Sequence, residues 1–264
     1  MLYFLQQLKS RNEILFYFGS FCWLMAMACL VLAQYYPMQV HKVNAWIKPF
    51  KFATSIALYA FTMAWFVAYL PNFNVQLFNW SIVVLLGFEW VYIAVQAGRG
   101  QLSHFNINTP TYALLYGLMA AAATLVALYT AYIGWLFFTN EFTTLPNYYV
   151  WAIRLGIVLF VVFSFEGFVM GARLSHTIGG ADGGPGIPIL HWSTQFGDPR
   201  VAHFIGMHAL QILPLVSYYV LRNTKATWVL AIVYALLALF TLIRALQGKP
   251  LFAQLTLYKH TPKT

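Results

Sequence analysis

Seven apolar stretches, each free of long polar interruptions, follow one another along the chain. Because about 20 apolar residues in a helix cross the roughly 30 Å hydrocarbon core of a bilayer, each stretch predicts a transmembrane helix. The run 157–163 is continuously apolar, whereas strands of a membrane barrel alternate apolar and polar positions. We therefore expect an all-α integral membrane protein, a seven-transmembrane-helix bundle, with helices at about 14–35, 52–70, 77–97, 111–138, 148–174, 201–221 and 226–247.

The composition indicates a chain that lies almost wholly in the bilayer. Of its 264 residues 61% are hydrophobic and 8% are charged, whereas about a quarter of the residues of a soluble domain are charged. We expect one polytopic transmembrane domain over residues 1–264. The formal charge is +9, but the basic residues are scattered near segment ends and form no stripe. Nucleic acid is therefore not an expected partner.

The basic residues are divided unequally between the two sides of the predicted bundle. One side carries five, namely Lys9, Arg11, Arg154, Arg222 and Lys225. The other carries ten, namely Lys42, Lys48, Lys51, Arg99, Arg173, Arg200, Arg244, Lys249, Lys259 and Lys263. Because cytoplasmic loops retain Lys and Arg, we expect the N-terminus outside and the C-terminus in the cytoplasm. The expected location is the bacterial inner (cytoplasmic) membrane, with membrane lipids as partners.

Two loops on the predicted cytoplasmic side have distinctive compositions. Loop 175–200 is rich in glycine and proline, so we expect no regular helix there and a cap over the mouth of the bundle. It lacks the Gly-Lys-Ser/Thr ending of a phosphate-binding loop. Segment 40–51 is predicted to lie at the membrane surface, where Lys48 and Lys51 face lipid phosphates or an anionic headgroup.

Two of the six acidic residues, Glu89 and Glu166, lie well inside predicted helices. A charged side chain there costs about 2.5–3.5 kcal/mol on insertion scales, so a function is the first interpretation. Together with His208 they lie seven or eight residues from predicted helix ends on one side. At about 1.5 Å per residue, all three are roughly 10–12 Å below the cytoplasmic surface. If the three helices are neighbours, these side chains form one site.

Other polar residues extend this candidate site. His203, Gln211 and His208 fall within about a 140° arc of the sixth segment, which predicts one polar helix face. Gln96 and Arg173 each follow a buried acid by one heptad and continue a polar stripe to the mouth. Further candidate ligands near the mouth are His104, His176 and His191.

Histidine binds metals through a neutral nitrogen and titrates near pH 6.5, so metal binding and proton transfer are both open. The leading hypothesis is an intramembrane enzyme or redox protein that uses iron, zinc or haem b and acts on a lipid, quinone or other apolar or amphiphilic molecule. Its catalytic residues would be Glu89, Glu166 and His208, its metal ligands these three and His203. A competing hypothesis is a proton- or cation-coupled transporter or channel using the same residues. In a third, the acids only pair with Arg154, Arg173 or backbone groups.

Overall fold

A computed structural model describes residues 2–252 of the chain. Within that range seven helices are long and apolar enough to span a membrane, as the hydropathy pattern predicts. They are α2 (Glu13–Tyr35), α3 (Ile47–Val67), α4 (Val75–Gly98), α5 (Pro110–Thr139), α6 (Asn147–Arg173), α7 (Arg200–Val216, continued by a π-helix over Ser217–Leu221) and α8 (Thr224–Leu246). The positions of Lys259, Lys263 and the C-terminus fall outside the described residues.

Most predicted boundaries differ from the observed ones by one or two residues, and α3 is the exception. It begins at Ile47 instead of residue 52 and ends at Val67 instead of residue 70. Lys48 and Lys51 are charged, so the hydropathy pattern assigns them to the loop. Pro49 lies in the first turn of α3, where the absence of its N–H leaves no helical hydrogen bond unmade. The early start of α3 carries both lysines into the helix.

Two short elements precede α3 and are missing from the prediction. Helix α1 (Leu2–Arg11) packs on α2 and α3, and the side chain of Leu8 is fully buried. The segment predicted to lie flat at the membrane surface instead begins with an antiparallel hairpin of β1 (Gln39–Val40) and β2 (Val43–Asn44). Its two turn residues, His41 and Lys42, have φ of 49° and 63°, the left-handed conformation that two-residue hairpin turns require.

Glycines allow the backbones of α6 and α7 to approach closely. A Cβ on Gly156 of α6 would lie 2.9 Å from the carbonyl oxygen of Ala209, and one on Gly206 of α7 would overlap the ring of Phe163. Membrane helices commonly associate through such small residues. The close approach fixes the rotation of α7 and so determines which of its polar side chains face α6.

Three loops lie at one end of the bundle, which we call the capped end: segment 36–46 with the hairpin, segment 99–109, and the Gly/Pro-rich loop 174–199. The long loop contains no helix and is folded back on itself through bridges of Ile178 with Gly197 and of Gly186 with Ser193. Lys51 Nζ donates a hydrogen bond to the Leu190 carbonyl at 3.1 Å. The loop therefore lies across the start of α3 and covers this end of the bundle.

Candidate functional site

The sequence candidates are all positioned towards the capped end. Helices α4 and α6 end there and contribute Glu89, Gln96 and Glu166, while α3 and α7 begin there. Among the ionisable side chains of the connecting loops are His104, His176, Asp182, His191 and Asp198. This end therefore brings together acids, histidines and basic residues that are far apart in the sequence.

One ion pair, Asp198 with Arg200, holds the end of the long loop against the start of α7. Asp198 is 3% exposed, and its two oxygens accept from Arg200 Nε at 2.8 Å and Nη2 at 2.6 Å. The Ser193 backbone N–H donates to the same carboxylate at 2.8 Å, and Arg200 Nη2 also donates to the His191 carbonyl. Because both charged groups have several hydrogen-bond partners, this pair stabilises the loop.

A second pair, Asp182 with His176, is also well hydrogen-bonded. Asp182 accepts from the backbone N–H of His176 and from Ser175 Oγ, and its Oδ2 lies 3.3 Å from His176 Nδ1. Burial lowers the pKa of His176 to about 4, against the opposing effect of Asp182. Although burial alone would raise it, hydrogen bonds from His176 and Thr177 hold the pKa of Asp182 below its usual range. At neutral pH a neutral imidazole therefore donates to a carboxylate.

Glu166 and His203 form a contact of a different kind, deeper in the bundle. Glu166 Oε2 lies 3.4 Å from His203 Nδ1, and the two side chains are 4% and 31% exposed. Both Glu166 oxygens and His203 Nδ1 are sealed from solvent, and no hydrogen bond to them is found in residues 2–252. Gly167 makes room for the imidazole, since a Cβ there would lie 3.2 Å from His203 Cε1.

Glu89 is a second buried acid to which no hydrogen bond is found within residues 2–252. It is 7% exposed, and the charged group that acts on it is Lys48, through space and not through a hydrogen bond. None of the four ion pairs found in the described part of the chain includes either residue. Trp90 Nε1 donates to the Pro49 carbonyl at 3.1 Å, which ties α4 to the start of α3 beside them.

His104 lies within electrostatic range of Lys48, His176 and His203. Burial holds the pKa of His104 well below its ordinary value, and the nearby Lys48, His176 and His203 lower it further. The ring centroids of Phe105 and His176 lie 4.7 Å apart. We call these partly buried groups and the two buried acids the inner cluster: Lys48, Glu89, His104, Glu166, His176 and His203.

The polar face predicted on the sixth segment is divided by the rotation of α7. His203 faces α6 and Glu166. His208 lies about 140° further round the helix, and its Nδ1 is 3.3 Å from Gln211 Oε1. Gln211 Nε2 in turn donates to Thr62 Oγ1 of α3 at 3.1 Å. The structure thus joins Glu166 to His203 and His208 to Gln211, and neither contact includes Glu89.

The remaining candidates lie outside this centre. Gln96 is buried and donates to the Leu102 carbonyl at 3.0 Å, so it holds segment 99–109 in place. Arg173 is exposed at the end of α6 and is absent from the ion pairs of the described chain. His191 takes part through its backbone carbonyl, which accepts from Arg200.

The sequence interpretation missed Lys48 and Thr62 as parts of the site. Lys48 directly precedes Pro49, and a proline in a first helical turn was the signal that could have placed this lysine in α3. A single threonine in an apolar helix carries no comparable signal.

No three His, Cys, Asp or Glu side chains within residues 2–252 are arranged to hold a metal ion. The comparisons add no identity, since no family model, curated protein or solved structure matches the chain.

Proposed function

We propose that this protein is an intramembrane enzyme in which Glu166 and His203 form an acid–base pair that exchanges a proton with a lipid-soluble substrate. The observation that carries the proposal is the sealed 3.4 Å contact between Glu166 Oε2 and His203 Nδ1, with no other hydrogen bond to either group in the described residues. Buried polar groups in proteins are nearly all hydrogen-bonded, and exceptions often mark catalytic sites.

The loop ion pairs supply the internal comparison. Asp198 and Asp182 accept several hydrogen bonds each, as structural carboxylates do. Glu166 accepts none, so the surrounding protein does not favour one fixed arrangement of its charge. The pair holds either a neutral acid beside a neutral imidazole or a carboxylate beside an imidazolium. These two states differ only in the position of one proton, which is the property of a general acid–base site.

The substrate class follows from the location of the pair. His203 lies five residues before His208 on α7, and the side of the helix that carries His208 has exposed apolar residues. A molecule dissolved in the bilayer could approach from that side, and a lipid, a quinone or another amphiphilic molecule fits this route. In the orientation that the basic residues favour, with the N-terminus outside, the site lies in the cytoplasmic leaflet of a bacterial inner membrane.

A resident metal or haem stays a prediction. Glu166 and His203 are ligands that iron or zinc accepts, Glu89, His104 and His176 are further candidate ligands, and haem b would need one or two axial histidines. Such a group would supply Lewis-acid or redox chemistry. Elemental analysis for iron and zinc, and an absorption spectrum for the haem Soret band, test this on the purified protein.

A proton- or cation-coupled transporter is the second candidate. It is favoured by the hydrogen bonds from His208 through Gln211 to Thr62, because they continue the polar side chains beyond the pair towards the middle of the bilayer. Proton flux across liposomes containing the purified protein separates the two functions, since an enzyme without a transport path produces no flux.

Infrared difference spectroscopy between H₂O and D₂O tests the proton exchange itself. We expect a buried carboxyl band that shifts on deuteration, that is lost in Glu166→Gln and that moves in His203→Gln. Glu141→Gln is the matched control, since Glu141 lies in an exposed loop at the opposite end of the bundle. If Glu166→Gln leaves the deuterium-sensitive carboxyl bands unchanged, the acid–base assignment is wrong.

A further inference from the structure

His208 is half-buried at the edge of an exposed side of α7, next to α3. At 100° per residue, Phe204, Ile212 and Leu215 fall within about 40° of His208 around the helix. These three apolar side chains are 39%, 40% and 54% exposed. In a membrane-spanning helix such a face is in contact with lipid, so His208 places an imidazole on an otherwise apolar, lipid-facing surface.

The hydrogen bonds around His208 determine which of its nitrogens carries a hydrogen. The hydroxyl of Thr62 donates to the Leu58 carbonyl at 2.7 Å, so its oxygen can only accept from Gln211, whose Nε2 lies 3.1 Å away. Gln211 Oε1 is then the atom that lies 3.3 Å from His208 Nδ1. A carbonyl oxygen has no hydrogen to donate, so Nδ1 is the donor, and Nε2 of the neutral imidazole has a lone pair.

This lone pair is an unsatisfied acceptor at membrane depth. No residue among 2–252 donates a hydrogen bond to His208 Nε2. A polar atom left without a partner in hydrocarbon is costly, and a hydroxyl group is the neutral donor that would satisfy it. Carbonyl oxygens, esters and ethers have no hydrogen to offer, so the site selects against them.

An aromatic row beside His208 favours a ring over an aliphatic chain. The ring of Phe204 lies 4.3 Å from that of His208, and Trp192 of the long loop lies 5.4 Å from Phe204, both edge to face. Aromatic pairs in such geometries are favourable beyond their buried area. The row leads from His208 towards the capped end.

We infer that His208 and this aromatic row bind the phenolic headgroup of a lipid-soluble molecule, the class to which quinols belong, with the phenol O–H donating to His208 Nε2. The inference rests on the proposed function, because it gives that function its substrate class. His203 lies five residues before His208 on the same helix, about 7.5 Å along its axis, so a phenol bound at His208 lies within about one and a half turns of the Glu166–His203 pair.

The test compares 4-decylphenol with 4-decylanisole, in which a methyl group replaces the hydroxyl hydrogen. Both compete with a diazirine-tagged 4-decylphenol for photolabelling of the full-length protein in nanodiscs, and labelled peptides are mapped by mass spectrometry. We expect labels on residues 204–215 and 58–62, and competition by the phenol about tenfold stronger than by the anisole, the equivalent of one hydrogen bond. His208→Phe keeps the ring and should abolish this difference. The control Ile232→Leu, on the exposed face of α8, should retain it.

Other outcomes overturn the inference. Equal competition by phenol and anisole removes the role of Nε2, and equal competition by farnesol removes the preference for a ring. A label that joins two protein copies through α7 makes this face a subunit interface. If His208→Phe fails to fold, ¹⁵N spectra of histidine-labelled wild type decide, since Nε2 must show an unprotonated signal that shifts with phenol and not with anisole. Glu166→Gln should keep phenol binding, so a failure of the acid–base pair is seen separately in the infrared difference spectrum.

Discussion

Replacing Glu166 by Gln should leave the stability of the protein almost unchanged, whereas Asp198→Asn should lower it clearly. Glu166 accepts no hydrogen bond in the described structure, so the amide loses none. Asp198 accepts from Arg200 Nε and Nη2 and from the Ser193 N–H, and an amide would turn a donor towards one of these donors. Breaking a buried ion pair costs about 3–5 kcal/mol. Because the Arg200 side chain is 27% exposed, we expect about 2–3 kcal/mol for Asp198→Asn and under about 1 kcal/mol for Glu166→Gln.

Thermal unfolding of the two variants beside wild type in the same nanodiscs measures this difference. Proteolysis at Arg200 adds a local readout, since the loop of Asp198→Asn should be cut faster while that of Glu166→Gln is not. Glu141→Gln serves as an exposed control. If Glu166→Gln is as unstable as Asp198→Asn, Glu166 is a structural residue. The difference between carboxylates with and without hydrogen-bond donors then does not identify a functional site.

Three further predictions follow from local geometry and charge. Gly167→Ala should displace the imidazole of His203, because the new Cβ would lie 3.2 Å from Cε1, and the ¹⁵N signals of that ring should shift. Gly171→Ala is the control, since its new Cβ would lie 3.4 Å from the Tyr116 hydroxyl and should leave the His203 signals in place. Stability should fall as pH drops from about 6.5 to 4, because burial lowers the pKa of His176 to about 4 and the unfolded chain binds the proton first; His176→Gln should flatten this part of the thermal unfolding profile. A cysteine in place of Asn140, at the end opposite the capped end, should react with an impermeant reagent from outside intact cells, and reaction only after lysis would reverse the proposed orientation.

The seven spans could be predicted because insertion into lipid depends on the summed hydropathy of about 20 residues and little on tertiary packing. The start of α3 could not, since Lys48 and Lys51 are charged yet helical. Helix α1 is too short and too polar to register as a span, although Leu8 is fully buried. The hairpin turn at His41 also has no hydropathy signature. Hydropathy detects contact with lipid, and these elements are held by contacts within the protein.

The depth of the polar side chains was accessible from sequence, but their partners were not. Counting residues places Glu89, Glu166 and His208 at one level, and gives no information on how each helix is rotated. Helix α7 carries a partial signal of its own rotation, since Ala202, Gly206 and Ala209 form a face of small residues that packs on neighbouring helices. Measured from the centre of that face at 100° per residue, His203 lies about 95° away on one side and His208 about 125° away on the other. This argument could have separated the two histidines without a structure.

The number of hydrogen bonds that a carboxylate accepts distinguishes structural from candidate functional groups at the capped end better than burial does. Asp198 and Glu166 are similarly buried, yet one has a full set of donors and the other has a single contact at 3.4 Å. A protein that needed Glu166 only for packing would have no reason to leave both oxygens without donors, because each unmade bond costs about 1–3 kcal/mol. That cost is tolerated where a ligand or a moving proton supplies the missing partner. The unsatisfied atoms of Glu166 and His203 lie on the side of α7 that faces α6, and that of His208 lies on another side of the same helix, where the proposed phenol would bind.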